Sequence, residues 1–165
     1  MNEQLTRYLD PEFIYRFMQN PNVVRSEEDA RKHGINCVSL AHLAIKNLFE
    51  YELPRDLLCA ELYADTKHFE RIEQLQDMQT GDLVWFGIEQ PAIHPEEFVP
   101  RYDEQGKLIN WSDFPVKHVA ISTGEHNEDR DPLLLHSTYY EGTNVIWPLS
   151  RFSAYPKYKK NIRHQ

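Results

Sequence analysis

The stretch Asn36-Cys37-Val38-Ser39-Leu40 opens an amphipathic helix, because Leu40, Ala41, Ala44, Ile45, Leu48 and Phe49 recur at helical spacing behind it. That spacing places the Cys37 thiol in the first turn, where free backbone N–H groups and the positive end of the helix dipole favour thiolate over thiol. Cys37 is therefore expected to be a reactive, low-pKa thiol and the residue that carries chemistry. Cys59, in Leu57-Leu58-Cys59-Ala60-Glu61-Leu62, sits in an apolar helical context and reads as a small buried hydrophobe.

Outward from this helix the chain changes character once. On the N-terminal side, Asp10-Pro11 reads as a helix start, and Phe13, Ile14, Phe17 and Met18 predict a helix over about 11–19 that stops near Asn20-Pro21. A polar stretch from Ser26 to Gly34 leads into the Cys37 helix. Pro54 marks the start of a further helix carrying Leu57, Leu58, Leu62 and Tyr63, and a third helical segment is expected from Lys67 towards Gln76. From Thr80-Gly81-Asp82 onward, strands take over: Leu83 to Phe86 closed by Gly87, Val116 to Thr123 closed by Gly124, Leu133 to Thr138, Asn144 to Leu149, and a short last strand at Lys159 to Arg163. Helices first and strands afterwards predict an α+β fold, with helices packed on one side of a mostly antiparallel sheet. Between about 88 and 115 lies an inserted loop with prolines at 91, 95, 100 and 115, inside which Tyr102 to Ile109 reads as a hairpin.

The bulk numbers fit one globular domain spanning 1–165. The 165 residues are 41% hydrophobic and 27% charged, with a formal net charge of -8. The sole basic run, Lys157-Tyr158-Lys159-Lys160, is a solvated face rather than a phosphate site, so nucleic acid is not an expected partner. No apolar stretch is long enough to span a bilayer, and the first residues do not read as a signal peptide, so a cytoplasmic location is expected. Two cysteines form neither a disulfide framework nor a structural zinc pair.

A thiol nucleophile needs a base and a group that orients the base. Alternation along Val116 to Thr123 puts His118, Ala120 and Ser122 on one face, from which the His118 ring is expected to point at a neighbouring helix; His136 lies near the end of the next strand. If the two strands are antiparallel neighbours, the imidazoles come within hydrogen-bond reach. His33, four residues before Cys37, is a rival base in a polar and exposed setting. Trp85, Phe86, Trp111, Tyr139, Tyr140 and Trp147 read as core or rim aromatics, and Glu96-Glu97 and Asp103-Glu104 as solvated loop charge.

The order Asn36-Cys37, Gly81-Asp82-Leu83-Val84-Trp85-Phe86, His118-Val119-Ala120-Ile121 and Leu135-His136-Ser137 resembles the NlpC-type papain-like cysteine peptidases. The resemblance covers about 34–163. It implies a papain-like fold, Cys37 as nucleophile, His118 as general base and acid, and His136 as the orienting third member. It further implies acyl transfer to water through a thioester, a peptide or amide substrate of the cell-wall stem type cut at a γ-D-glutamyl to diamino-acid bond, and no metal or organic cofactor. Val38-Ser39 stands where the family has Ser followed by Gly or Ala, and only Gly34 remains of the glycines before the Cys, so the second oxyanion donor is unassigned. The alternatives from other classes are an acyltransferase or transglutaminase-like enzyme on the same triad, a zinc site built on the one Cys and two His, and a binding module without catalysis.

Overall fold

The computed structural model describes residues 2–165, with backbone alone for 160–163. Its elements run α1 (Glu3–Thr6), α2 (Glu27–His33), α3 (Cys37–Phe49), α4 (Cys59–Ala64), β1 (Leu83–Gly87), β2 (Val116–His126), β3 (Pro132–Thr138), β4 (Thr143–Pro148), α5 (Leu149–Phe152) and β5 (Lys160–His164). The five strands form one sheet in the order β4-β3-β2-β1-β5, every neighbouring pair antiparallel. An α+β architecture with an antiparallel sheet is thus present. Among the described residues no helix is long and apolar enough to cross a membrane.

Strand alternation splits the interior in two. Leu83, Trp85, Val119, Ile121 and Leu135 face the main core, which they share with Leu40, Ala41, Ala44 and Ile45 of α3. Val84, Phe86, Ala120, Leu134 and Trp147 point the other way, into a second core closed by Phe152 and Tyr158. The sheet is therefore covered on both faces, by helices on one and by the C-terminal aromatic segment on the other.

Two predicted helices are absent. Residues 11–19 instead run as an extended clamp: Tyr15 bridges Ile35 and Ile14 bridges Thr143, with Tyr15 N–H donating to the Gly142 carbonyl at 2.8 Å and Arg16 N–H to that of Ile35 at 2.8 Å. Those N–H groups are taken by other parts of the chain, and Ile14, Phe17 and Met18 are exposed, so their spacing marks no core face. Lys67 to Gln76 is likewise not helical; Ile72 N–H donates to the His164 carbonyl, and only a single 3₁₀ turn forms, at Leu75–Asp77. Conversely, the polar stretch after Ser26 contains α2. Ser26 caps it by accepting from Asp29 N–H, with acidic residues in its first turn and basic ones in its last, and only Ala30 is buried.

Candidate active site

The thiol is presented by a well-made helix start. Asn36 Oδ1 accepts from Ser39 N–H at 2.9 Å and Ser39 Oγ accepts from Asn36 N–H at 2.9 Å, a reciprocal capping box. The Asn36 amide also donates to the Gln19 carbonyl at 2.8 Å, which ties the cap to the N-terminal clamp. Gly34 precedes it at a φ of 81°, and a Cβ there would lie 2.8 Å from Arg16 Cβ, so both its conformation and its space require glycine.

The sheet opens where the thiol meets it. The β2–β3 ladder pairs Ser122 with Leu134 and Ile121 with Leu135, and among the described residues its paired positions extend no further towards His118. Val119 N–H, just past that point, is directed at the Cys37 sulfur. On the far side of the ladder Ser137 Oγ donates to the Ile35 carbonyl at 3.4 Å, holding the chain before the thiol against β3. Cys37 thus lies at the fork where β2 and β3 part.

The two histidines meet as strand geometry requires. His118 Nε2 and His136 Nδ1 are 2.8 Å apart, with both rings buried. Their direction corrects the sequence expectation, since they point into the second core rather than at a helix. His118 stacks on Tyr158 at 4.3 Å between ring centroids, and His136 packs against Trp147 at 4.4 Å and Phe152 at 4.6 Å. The physical reason is parity: His118 shares the face of Ala120, and that face is opposite the one on which α3 packs. The resting hydrogen-bond network of the described residues contains the His118–His136 bond and no direct Cys37–His118 bond.

Burial sets the electrostatics. It holds His118 down at about 3 and depresses His136 strongly, with the neighbouring His118 and Arg151 adding to the effect. It also pushes the Cys37 thiol up, against the opposing pull of the Val119, Val38 and Cys37 N–H groups. The expected low-pKa thiol is therefore corrected: desolvation outweighs the helix start and favours the neutral thiol, as it favours the neutral imidazoles. Cys59 also stands at the first position of a helix, α4, and its pKa is raised further, by burial and then by the nearby Cys37.

Of the remaining sequence candidates, His33 ends α2, while the histidine pair lies on β2 and β3. Trp85, Phe86 and Trp147 are core, while Trp111 and Tyr139 are exposed. Tyr158 escaped sequence reasoning because it lies in the lysine run. Its ring stacks on His118, its hydroxyl lies 3.0 Å from Thr138 Oγ1, and burial and the proximity of Cys37 raise its pKa. Tyr15, pushed up to about 12, also feels Cys37. Among the described residues, no group of three His, Cys, Asp or Glu side chains is placed to hold a metal ion. A cavity of about 350 Å³, lined by Phe49, Tyr51, His68 and Asp82, lies at the opposite end of α3 from the thiol. No protein-family model and no curated protein matches the chain.

Proposed function

We propose that the protein is a cysteine hydrolase of the NlpC-type papain-like class, cleaving an amide in a peptide, with Cys37 as nucleophile, His118 as base and His136 as orienter. The observation that supports this reading is the 2.8 Å His118–His136 bond, set one residue along β2 from Val119, whose N–H acts on the Cys37 thiol; His118 and the thiol lie on opposite faces of the sheet, so their proton transfer requires the His118 side chain to reorient. With Nε2 of His118 engaged by His136, Nδ1 is the nitrogen left to serve the thiol.

The proton logic follows from the tautomers. For Nδ1 of His118 to accept a proton, Nε2 must carry one and donate it to His136 Nδ1. His136 then holds its own proton on Nε2, a buried atom with no hydrogen-bond partner among the described residues that sits beside the Trp147 and Phe152 rings. Because burial favours the neutral thiol and the neutral imidazole, the proton moves from Cys37 to His118 as the sulfur attacks the substrate carbonyl, not beforehand. The tetrahedral oxyanion collapses, His118 returns the proton to the leaving amine, and a thioester remains on Cys37. Water, deprotonated by His118, then releases the acid and the free thiol.

The test is hydrolysis of a γ-D-glutamyl-diaminopimelate peptide and of an ordinary α-peptide, with an acid quench and mass spectrometry to look for an acyl group on Cys37. The expected outcome is cleavage that falls by about a thousandfold or more in C37A and in H118A. Undiminished cleavage in C37A would overturn the proposal.

A further inference from the structure

Proton transfer from Cys37 requires His118 to reorient, so whatever holds the resting ring governs how often it turns. Its Nε2 lies 2.8 Å from His136 Nδ1, and one ring face is covered by Tyr158, with 4.3 Å between centroids and the planes 25° apart. Phe86 and Phe152 stand further from His118, at 6.4 and 6.2 Å, and are stacked on each other at 4.2 Å. Tyr158 is therefore the ring that must give way.

Tyr158 differs in its setting from the other rings around the histidines. Trp147 lies on β4 and Phe152 on α5, whereas residues 153–159 are turns and bends. Tyr158 N–H donates to the Tyr155 carbonyl at 2.9 Å and Tyr155 N–H to that of Phe152 at 3.0 Å, bonds that tie the turn to itself. The Tyr158 hydroxyl lies 3.0 Å from Thr138 Oγ1 on β3, with both residues buried, and this contact pins the ring across His118. The same hydroxyl feels the charge of Cys37, so Tyr158 adjoins the thiol as well as the imidazole.

We propose that Tyr158 is a positioning residue that holds His118 in its resting orientation, latched by the Thr138 hydrogen bond, so that the base reaches Cys37 only when the 153–159 turn lifts the ring away. The inference rests on the Cys37–His118 pairing of the hydrolase reading. The imidazole then has two states, a dominant one stacked on Tyr158 and a minor one with Nδ1 at the thiol, and any reaction that needs the thiolate runs at a rate set by the minor fraction. Removing both the stack and the hydrogen bond should raise that fraction about tenfold or more, and removing the hydrogen bond alone about fivefold.

The experiment follows iodoacetamide alkylation of Cys37 in the full chain at neutral pH by mass spectrometry, with Cys59 as internal reference. Y158L should accelerate Cys37 about tenfold or more and leave Cys59 unchanged, and Y158L/H118Q should fall back to the rate of H118Q alone. An acceleration that persists in Y158L/H118Q reports only a more open core and overturns the latch, as does a Y158L rate equal to or below that of the wild type. Should Y158L fail to fold, Y158F and T138V each remove the hydrogen bond and keep the stack; each should accelerate Cys37 about fivefold, while T138S, which keeps the hydroxyl, should match the wild type. Unchanged rates in both Y158F and T138V overturn the latch. His118-dependent acceleration with no hydrolysis of either peptide overturns the hydrolase reading and leaves the Cys37–His118 pair with its latch. Hydrolysis that is lost in H118A, with alkylation unmoved by the Tyr158 variants, overturns the latch and leaves the hydrolase.

Discussion

Cys37 owes its position to Asn36 and Ser39, whose side chains satisfy each other's backbone N–H groups at the start of α3. Replacing Ser39 with Ala breaks one half of that exchange and should cost about 1 kcal/mol; N36A also loses the bond to Gln19 and should cost up to about 2 kcal/mol, both read as a lowered urea midpoint at constant m. Tyr158 separates two roles in one side chain. Y158F keeps the stack on His118 and loses only the contact with Thr138, so it should cost about 1 kcal/mol, whereas Y158A opens the second core and should cost roughly 3 to 5 kcal/mol. The helix start at Asn36-Cys37 was legible in the apolar spacing behind it, whereas the reciprocal Asn36–Ser39 cap shows only in the structure. The thiol's raised pKa was not, because it depends on what the sheet and the tyrosines place over the helix end.

The strands were read to within a few residues, since alternation is a short-range signal, although Gly124, expected to close β2, lies inside it. β2 runs three residues past its expected end, and Leu149 belongs to α5 rather than to β4. The helices were harder. α2 has almost no apolar face to betray it, and the apolar spacing of 13–18 arises in an extended clamp whose partners, Ile35 and Gly142, are remote in sequence. α5 is only four residues long, yet Phe152 lies flat on Phe86 at 4.2 Å and packs on His136, so F152A should lose about 3 to 5 kcal/mol and loosen the histidine pair. The inserted hairpin should be far less critical. Replacing 101–109 with a short Gly-Ser turn leaves Phe98 and Phe114 in place, and thermal unfolding should shift by only a few degrees, because loop closure changes slowly with length.

For the molecule as a whole, four histidines, His42, His118, His136 and His164, have their pKa values lowered mainly by burial. Each binds a proton more readily unfolded than folded, so folding stability should be full above about pH 6.5, where unfolded histidine is neutral, and should drain away as pH falls from there towards about 3. His118 alone contributes on the order of 5 kcal/mol to that loss. Urea unfolding between pH 7 and pH 4 measures it, and an H118Q/H136Q double variant should flatten the slope. Cys37 has the opposite sense: its raised pKa costs stability as pH climbs past the ordinary thiol value near 8.5. The contact between His118 and His136, remote in sequence but diagonal across two strands, was legible once antiparallel neighbours were assumed; the face it occupies followed from parity, but which face the helices would cover did not. With helices on one side of the sheet and Trp147, Phe152 and Tyr158 on the other, the proton shared by the two imidazoles is sealed from solvent. Its exchange with deuterium should then require the same cooperative opening that exchanges the innermost β2 amides, so a single slow, far-downfield ring resonance would serve as a clock for the unfolding of the entire chain.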